Sequence, residues 1–458
     1  RIAQMPSDHA LREFIPPYPP RHTRAATLIE NIRRFRQSMI DVWMVGHFSS
    51  EMFRSRILRR DVIVCNSPET VREAFVDRAD VLERKSPQQR WALEPLLGDG
   101  LFISEGATWR ARRRAVAPVT HASRMRELAP VMTEVAAEWH AAWAAQPEGA
   151  SLDVLEEMAR MTAEVICRTL FGRQLGRESA ETVVHAFTAY QARVGQTALA
   201  AMLGLPDWLK RLEAFRMRPE ARRIHQVLDR LIADVLHKQD PKEASLVRAL
   251  SALQAMEPWA LRNEAATLFM AGHETTANTL AWAWFLLSGA PWAAERLRAE
   301  ARSVLGGRPA AFEDVEALPY TRAVIEETLR LYPPVPVLAR EAMADTTIRG
   351  EPVAKGSLVL VVPWLLHRNP RLWDRPDHFL PERFLEGSPP RYGYVPFSIG
   401  PRVCTGQQFG LTEAVICLAT LAQSFALTLE PGHIVRPVSR LTLRPGERLP
   451  MRLCHLDR

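Results

Sequence analysis

Cys404 differs from the other four cysteines of this 458-residue chain in its surroundings, the loop Phe397-Ser398-Ile399-Gly400-Pro401-Arg402-Val403-Cys404-Thr405-Gly406. Residues Gln407 to Phe425 read as an apolar helix, which puts Cys404 at a helix amino end, where unpaired N–H groups and the helix dipole favour a thiolate. Arg402 adds positive charge, Gly400 and Gly406 suit positive φ or close backbone approach, and Pro401 stiffens the turn. Two readings follow: a thiolate metal ligand, or a small apolar side chain in a tight turn.

A second cluster, Ala271-Gly272-His273-Glu274-Thr275-Thr276, lies inside a stretch that reads as one helix from Pro258 to Ser288. Its helix propensity is poor, and its hydroxyls can bond back to the carbonyl four residues earlier. Gly272 removes bulk, so the helix is expected to open there beside a ligand. Apolar residues on both sides, Leu268 to Met270 and Leu280 to Leu287, set the cluster inside an apolar helix rather than on a solvated face. A third pattern, Glu327-Thr328-Leu329-Arg330, puts acid and base on one helical face. Tyr332-Pro333-Pro334 follows it, and Pro381-Glu382-Arg383-Phe384 comes later. His273 and His367 have no second ligand at zinc-like spacing and are read as non-ligands.

Together these segments, with Trp109-Arg110-Ala111-Arg112-Arg113, resemble the cytochrome P450 family over most of the chain, from about residue 60 onward. The resemblance implies the P450 fold, mainly α with a small β portion. It also implies haem b (iron protoporphyrin IX), with Cys404 as axial iron ligand and Phe397 and Gly406 in the cofactor loop. Trp109, Arg113, Arg340 and Arg402 are then assigned to the haem carboxylates, which suit arginine forks. Glu327, Arg330 and Arg383 form a buried structural ion cluster. Glu274 and Thr275 match the oxygen-activating pair: a carboxylate that relays protons and a hydroxyl that holds the distal oxygen of dioxygen.

The implied activity is a monooxygenase that uses dioxygen to hydroxylate a hydrophobic small molecule, a fatty acid, terpenoid or similar. Leu96, Leu97, Phe102, Phe269, Ala271, Val335, Val337 and Leu338 are the expected pocket. No Gly-x-Gly-x-x-Gly follows a strand, so NAD(P)H is expected to act only indirectly, through a separate reductase. The electron donor is expected to be an acidic ferredoxin or flavodoxin-type protein docking near Arg110, Arg112 and Arg114. Two alternatives stay open: a P450-fold peroxygenase or isomerase, and a haem-thiolate sensor. The Glu274–Thr275 pair favours the dioxygen-using enzyme.

The elements that must position these groups are mostly helical. Alanine, leucine, arginine and glutamate dominate from Trp109 to about Leu331. Thr23 to Ser38 also reads as helix, while Ile57 to Cys65, Ser357 to Val362 and Val438 to Leu443 read as strands. Residues 1–22 form a Pro-rich amino-terminal arm, and residues 23–458 one haem domain. Hydrophobic content of 47% supports a large core, and 24% charged residues argue against disorder. The net charge of +7 is spread along the chain with no nucleic-acid motif, so an acidic protein is the expected partner. Widely spaced cysteines fit a reducing, cytoplasmic setting, no stretch suits a transmembrane helix, and a monomer is expected.

Overall fold

The computed structural model describes residues 13–57, 60–173, 182–187, 190, 207–237, 245–253 and 256–456. Its helices of eight residues or more are α1 (Leu28–Gln37), α2 (Pro87–Leu97), α3 (Gly106–Val119), α4 (Met125–Ala144), α5 (Val154–Phe171) and α6 (Asp207–His237). They continue with α7 (Leu246–Leu253), α8 (Pro258–Gly289), α9 (Pro291–Leu305), α10 (Pro319–Leu331) and α11 (Gln407–Ala422). Thr27 caps α1 reciprocally with Glu30, so this helix starts at Leu28, five residues later than the sequence pattern suggests.

Helix α8 runs through the core. Pro258 opens it and Pro291 prevents its continuation past Gly289. It is apolar on most sides and packs against α5, α10 and α11, as a helix without a solvent face must. Trp282 stacks on Tyr332 at 3.6 Å, and its indole N–H donates to the Leu443 carbonyl at 3.2 Å, tying the carboxyl half of α8 to the final strands. Helix α11 is likewise buried, but it ends at Ala422. Phe425 instead begins strand β8 (Phe425–Leu429).

Strands β1 (Met52–Ile57) and β2 (Arg60–Cys65) form a hairpin where the sequence suggests a single strand. Their sheet continues through β7 (Leu358–Val361), parallel to β2, to β4 (Leu338–Glu341), antiparallel to β7, so that Arg340 pairs with Val359. A short hairpin, β5 (Thr346–Ile348) and β6 (Glu351–Val353), follows β4. Near the carboxyl end, β9 (Val438–Ser439) and β10 (Leu443–Arg444) replace the single strand expected at 438–443. Strand β11 (Pro450–His455) pairs with β8 and β3 (Ser151–Asp153).

The described part of the Pro-rich arm lies against the domain. Phe14 packs on Phe285, the Phe14 carbonyl accepts from Phe379 N–H at 3.0 Å, and Pro17 O accepts from the Tyr332 hydroxyl at 2.6 Å. All five cysteines are free thiols. Among the described residues, no helix is long and apolar enough to cross a membrane.

Candidate active site

The cysteine loop is shaped by two backbone constraints. Gly400 has φ +69°, and a Cβ there would lie 2.1 Å from the Phe75 carbonyl oxygen, so only glycine fits. Cys404 N–H donates to Phe397 O at 2.9 Å, closing the loop back on Phe397 just before α11. Gly406 has an unstrained φ of −90° and would clear its neighbours with a Cβ, so its glycine is not required by the backbone.

Cys404 keeps accessible surface, but the protein around it is dense enough that desolvation pushes its thiol above the ordinary value, while the Gly406 N–H, Arg113 and Lys85 pull it down. The cations that act on the sulfur are therefore Arg113 and Lys85, and the expectation that Arg402 does so is corrected. Arg402 instead donates to Ser104 O at 2.7 Å, pairs with Glu83 at 3.4 Å and covers the Trp109 ring at 4.3 Å. Arg113 donates to the Val403 carbonyl at 2.6 Å, holding α3 against the loop.

Four cations gather here. Arg340 is fully buried, lies over Phe75 and donates to Ala339 O, and its Nη2 has no partner among the described residues. Burial, and then Arg402, bring its guanidinium down to about 9. Arg402 is brought down to about 10, chiefly by burial. Lys85 is pushed well below its usual value by burial first and then by Arg340 and Arg402. Its ammonium lies 4.4 Å from the Phe102 ring centroid, and its backbone bridges to Arg340. The sequence reading missed Lys85. Its signal was rarity, since the chain has only five lysines and this one directly precedes Ser86-Pro87 at the start of α2.

Glu274 and Thr275 sit side by side in α8 but engage different groups. The Thr275 hydroxyl donates to Ala271 O at 2.7 Å, the back-bond its position suggested. Glu274 is buried, accepting from the Thr442 hydroxyl at 2.5 Å and from Arg444 Nε at 3.0 Å. Arg444 is 38% exposed, so Glu274 is linked to solvent through that ion pair. Ala271 and Thr275, one turn apart, keep accessible surface within an otherwise buried helix and so face an internal space. Gly272 serves another purpose than the one expected: a Cβ there would lie 3.0 Å from Ile166 Cδ1, so this glycine permits close approach of α5 rather than opening α8. Helices α8 and α11 meet close by, where a Cβ on Gly410 would contact Thr276 Oγ1 at 3.6 Å.

Glu327, Arg330 and Arg383 meet as a closed cluster. Arg330 holds both Glu327 oxygens, at 2.7 and 2.8 Å, and donates to the carbonyls of His367, Pro376 and His378. Arg383 Nε reaches Glu327 at 3.2 Å, and Leu380 N–H donates to it at 2.8 Å. His367 is buried beside this cluster, with Nδ1 near the Arg330 carbonyl and Nε2 accepting from Val395 N–H at 2.9 Å.

The expected pocket is only partly assembled. Val335 and Val337 line a cavity of about 550 Å³, Ala271 faces the internal space described above, and Phe102 is half-buried beside Lys85. Leu96, Leu97, Phe269 and Leu338 are instead core residues; Phe269 packs between Phe187 and His273. The expected docking patch also changes. Arg110 and Arg114 are exposed, but Arg112 pairs with Asp99 at 2.8 Å and approaches Glu264 at 3.5 Å. Glu264 is fully buried, accepts from Leu101 N–H at 3.0 Å and is pushed up to about 8 by burial.

The Cytochrome P450 family model matches residues 16–448. The chain belongs to the cytochrome P450 family. It is 34% identical to cyclooctatin synthase of Streptomyces melanosporofaciens, over 86% of this chain and 87% of that protein. It is 32% identical to the putative cytochrome P450 132 of Mycobacterium tuberculosis, over 76% of this chain and 78% of that protein. Identity to the cyclooctat-9-en-7-ol 5-monooxygenase of the same Streptomyces is 30%, over 81% of each chain. The chain is thus a P450 monooxygenase, and family membership implies haem as its cofactor. The residues fit that group: a cysteine sulfur is set among cations, and the buried Arg340 has an Nη2 with no partner among the described residues, which a haem carboxylate would provide.

Proposed function

We propose that this P450 uses dioxygen to hydroxylate a hydrophobic small molecule, a fatty acid, terpenoid or similar, with electrons from a separate donor. The observation that carries the reading is the gathering of Cys404 with Arg113, Lys85, Arg340 and Arg402, on segments as distant in sequence as α3, β4 and the cysteine loop. Cys404 would ligate the iron; Arg340, Lys85 and Arg113, with Trp109 and Arg402 bracing the loop, would hold the carboxylates. Haem bound there supplies the electron-accepting and oxygen-activating chemistry.

The chain's own part is proton handling and exclusion of water. Glu274, tied to solvent-exposed Arg444, takes protons from the surface side, and Thr275 presents its hydroxyl on the internal face of α8. For transfer between them, Glu274 has to leave Arg444 or work through water, because the two side chains bond to different groups. The relatives named for cyclooctatin synthesis and for oxidation of cyclooctat-9-en-7-ol support a multi-carbon apolar substrate. The donor is a ferredoxin or flavodoxin-type protein that meets exposed Arg110 and Arg114.

The test is spectroscopic first. The reduced protein with carbon monoxide shows the red-shifted Soret band of thiolate ligation, and Cys404→Ala loses it; persistence of the band in the variant contradicts the ligand assignment. With donor and dioxygen, Thr275→Ala keeps haem but diverts electrons to peroxide. Unchanged product per electron would count against the Thr275 role, and full turnover with peroxide alone would favour the peroxygenase alternative.

A further inference from the structure

Residues 98–104, between α2 and α3, lie directly against the first turns of α8. Gly98 has φ +54°, and a Cβ there would lie 2.3 Å from Asn263 Nδ2; a Cβ on Gly100 would lie 2.3 Å from Thr267 Oγ1 and 3.0 Å from Asn263 O. Glycine at both places lets the segment come this close. Asp99 accepts from Asn263 Nδ2 at 3.0 Å, and the Leu101 N–H donates to both oxygens of Glu264, at 3.0 and 3.3 Å.

The same segment touches the cations of the haem site. The Ser104 carbonyl accepts from Arg402 at 2.7 Å and the Leu101 carbonyl from the same guanidinium at 3.5 Å, while the Phe102 ring lies 4.4 Å from the Lys85 ammonium. Leu101 is thus held by Glu264 through its N–H and by Arg402 through its carbonyl. Glu264 is the fixed end of that chain, since it is fully buried on a core helix.

The charges around Glu264 decide the form in which it holds Leu101. Arg112 of α3 serves two carboxylates: its Nη2 donates to Asp99 at 2.8 Å, whereas its Nε stands 3.5 Å from Glu264 and has no hydrogen-bond partner among the described residues. The Asp99 side chain is 36% exposed and that of Glu264 fully buried. With one cation between two acids, the buried acid keeps the proton. Burial pushes Glu264 up to about 8; Arg112 and the Leu101 N–H oppose this, and Asp99 adds to it. The charged groups between α8 and the neighbouring α2, α6 and α7 are engaged elsewhere or exposed. Arg262 pairs with Asp229 at 3.0 Å, His225 lies against the Leu96 carbonyl at 2.7 Å, Arg248 donates to Val235 O, Arg90 pairs with Glu341, and Glu94 is exposed.

We propose that Glu264, as a neutral carboxyl, is a positioning residue for the haem site: it fixes Leu101, and through residues 98–104 it holds Arg402 and Lys85 where the haem carboxylates meet them. The inference rests on the assignment of these cations to haem. Its pH dependence has a definite sign. Docked against the segment, Glu264 keeps its proton up to about pH 8; released into water, it loses it near the ordinary 4.5. The docked arrangement is therefore fully favoured below about 4.5, loses up to about tenfold of that preference per pH unit as pH rises towards about 8, and loses no more above it.

The test follows haem transfer from the holoenzyme to apomyoglobin between about pH 6 and about pH 9, together with hydrogen exchange of the peptide spanning residues 99–104. Glu264→Gln still accepts from the Leu101 N–H and has no proton to lose. Relative to that variant, haem loss from the parent quickens at least about fivefold from pH 6 to pH 8 and levels off above. Glu264→Leu leaves the Leu101 N–H without its acceptor and loses haem about tenfold faster than Glu264→Gln, with weaker protection of 99–104. Asp99→Asn, at a partly exposed position, removes the charge that competes for Arg112 and moves the rise to lower pH, a result readable even where Glu264→Leu does not fold. The inference is overturned if the parent and Glu264→Gln share one pH profile, or if Glu264→Leu only lowers the unfolding midpoint while haem loss and 99–104 exchange stay unchanged. The carbon monoxide band of the reduced parent checks the haem-thiolate reading separately: with the band present, such a result removes the role of Glu264 alone, and without the band the reading itself falls.

Discussion

Two groups of charge, one around Glu327 and one around Cys404, are built on opposite plans. Around Glu327 every partner comes from the chain itself: one carboxylate meets two guanidinium groups and a backbone N–H, and the spare N–H groups of Arg330 end on carbonyls. Around Cys404 the cations outnumber the anions. Arg340, Lys85 and Arg402 act on one another, with Glu83 acting on both Arg402 and Arg340 and Glu105 on Arg402. Buried charge without a partner is costly, and a bound anion is one way to complete it. The closed group therefore reads as structure, and the open group as a site for a dianionic cofactor.

The comparison breaks most visibly at Glu327. Glu327→Gln leaves two buried arginines short of their anion and is expected to cost ~3–5 kcal/mol of stability in chemical unfolding; a loss under 1 kcal/mol would show the cluster to be dispensable. At the open group the expectation differs in kind. Lys85→Met lowers haem retention by about tenfold or more, the worth of one charge-assisted bond, without lowering the unfolding midpoint of the polypeptide. A haem affinity equal to that of the parent would remove Lys85 from the site.

Acid titration sharpens the contrast further. Burial, and then the charge of Arg330, push His367 down to about 3 from its ordinary 6.5. The imidazole is therefore neutral when folded and protonates in the unfolded chain below about 6.5, so its contribution is fully present above that pH and is lost as pH falls towards 3. The slope from this one group is up to ~1.4 kcal/mol per pH unit. His367→Gln, which can still accept from Val395 N–H, should flatten the acid limb of the stability curve by one proton; an unchanged slope would place the titration elsewhere.

The smallest effects are expected on α3, where the same two plans recur in neighbouring arginines. Arg112 has Asp99 and Glu264 for partners, whereas Arg110 is exposed with no ion pair among the described residues. Arg110→Ala is expected to slow electron delivery from an acidic donor a few-fold at low salt, and the difference should vanish at high salt. Arg112→Ala is expected to lower stability instead. Equal salt-sensitive slowing in both variants would mean that Arg112 also faces the donor.

These two plans were unequally legible in the sequence. Glu327 and Arg330 share one helical turn, and Cys404, Phe397 and Gly400 share one loop, so their spacing alone places them together. Lys85 and Arg340 are brought together only by the bridge between the segment before α2 and strand β4, and no local pattern carries that information. The long helices α8 and α11 were legible from composition, while the end of α11 was not, because an apolar run into Phe425 fits helix and buried strand equally well. Leu96, Leu97 and Phe269 were misplaced for a related reason: an apolar residue on a helix beside a cavity looks the same in sequence as one turned into the core. The partners of Glu274 were hidden too, since Thr442 and Arg444 lie in two-residue strands near the carboxyl end.

Arg340 decides the matter most directly, because within the Cys404 group it is fully buried and its Nη2 has no partner among the described residues. The measurement is the rate of haem transfer from the Arg340→Met holoenzyme to apomyoglobin under conditions where both proteins stay folded. Loss about tenfold faster than from the parent is the result expected of an arginine that holds a haem carboxylate. Unchanged haem loss, together with a lowered unfolding midpoint like that of Glu327→Gln, would make Arg340 another structural charge and contradict the account.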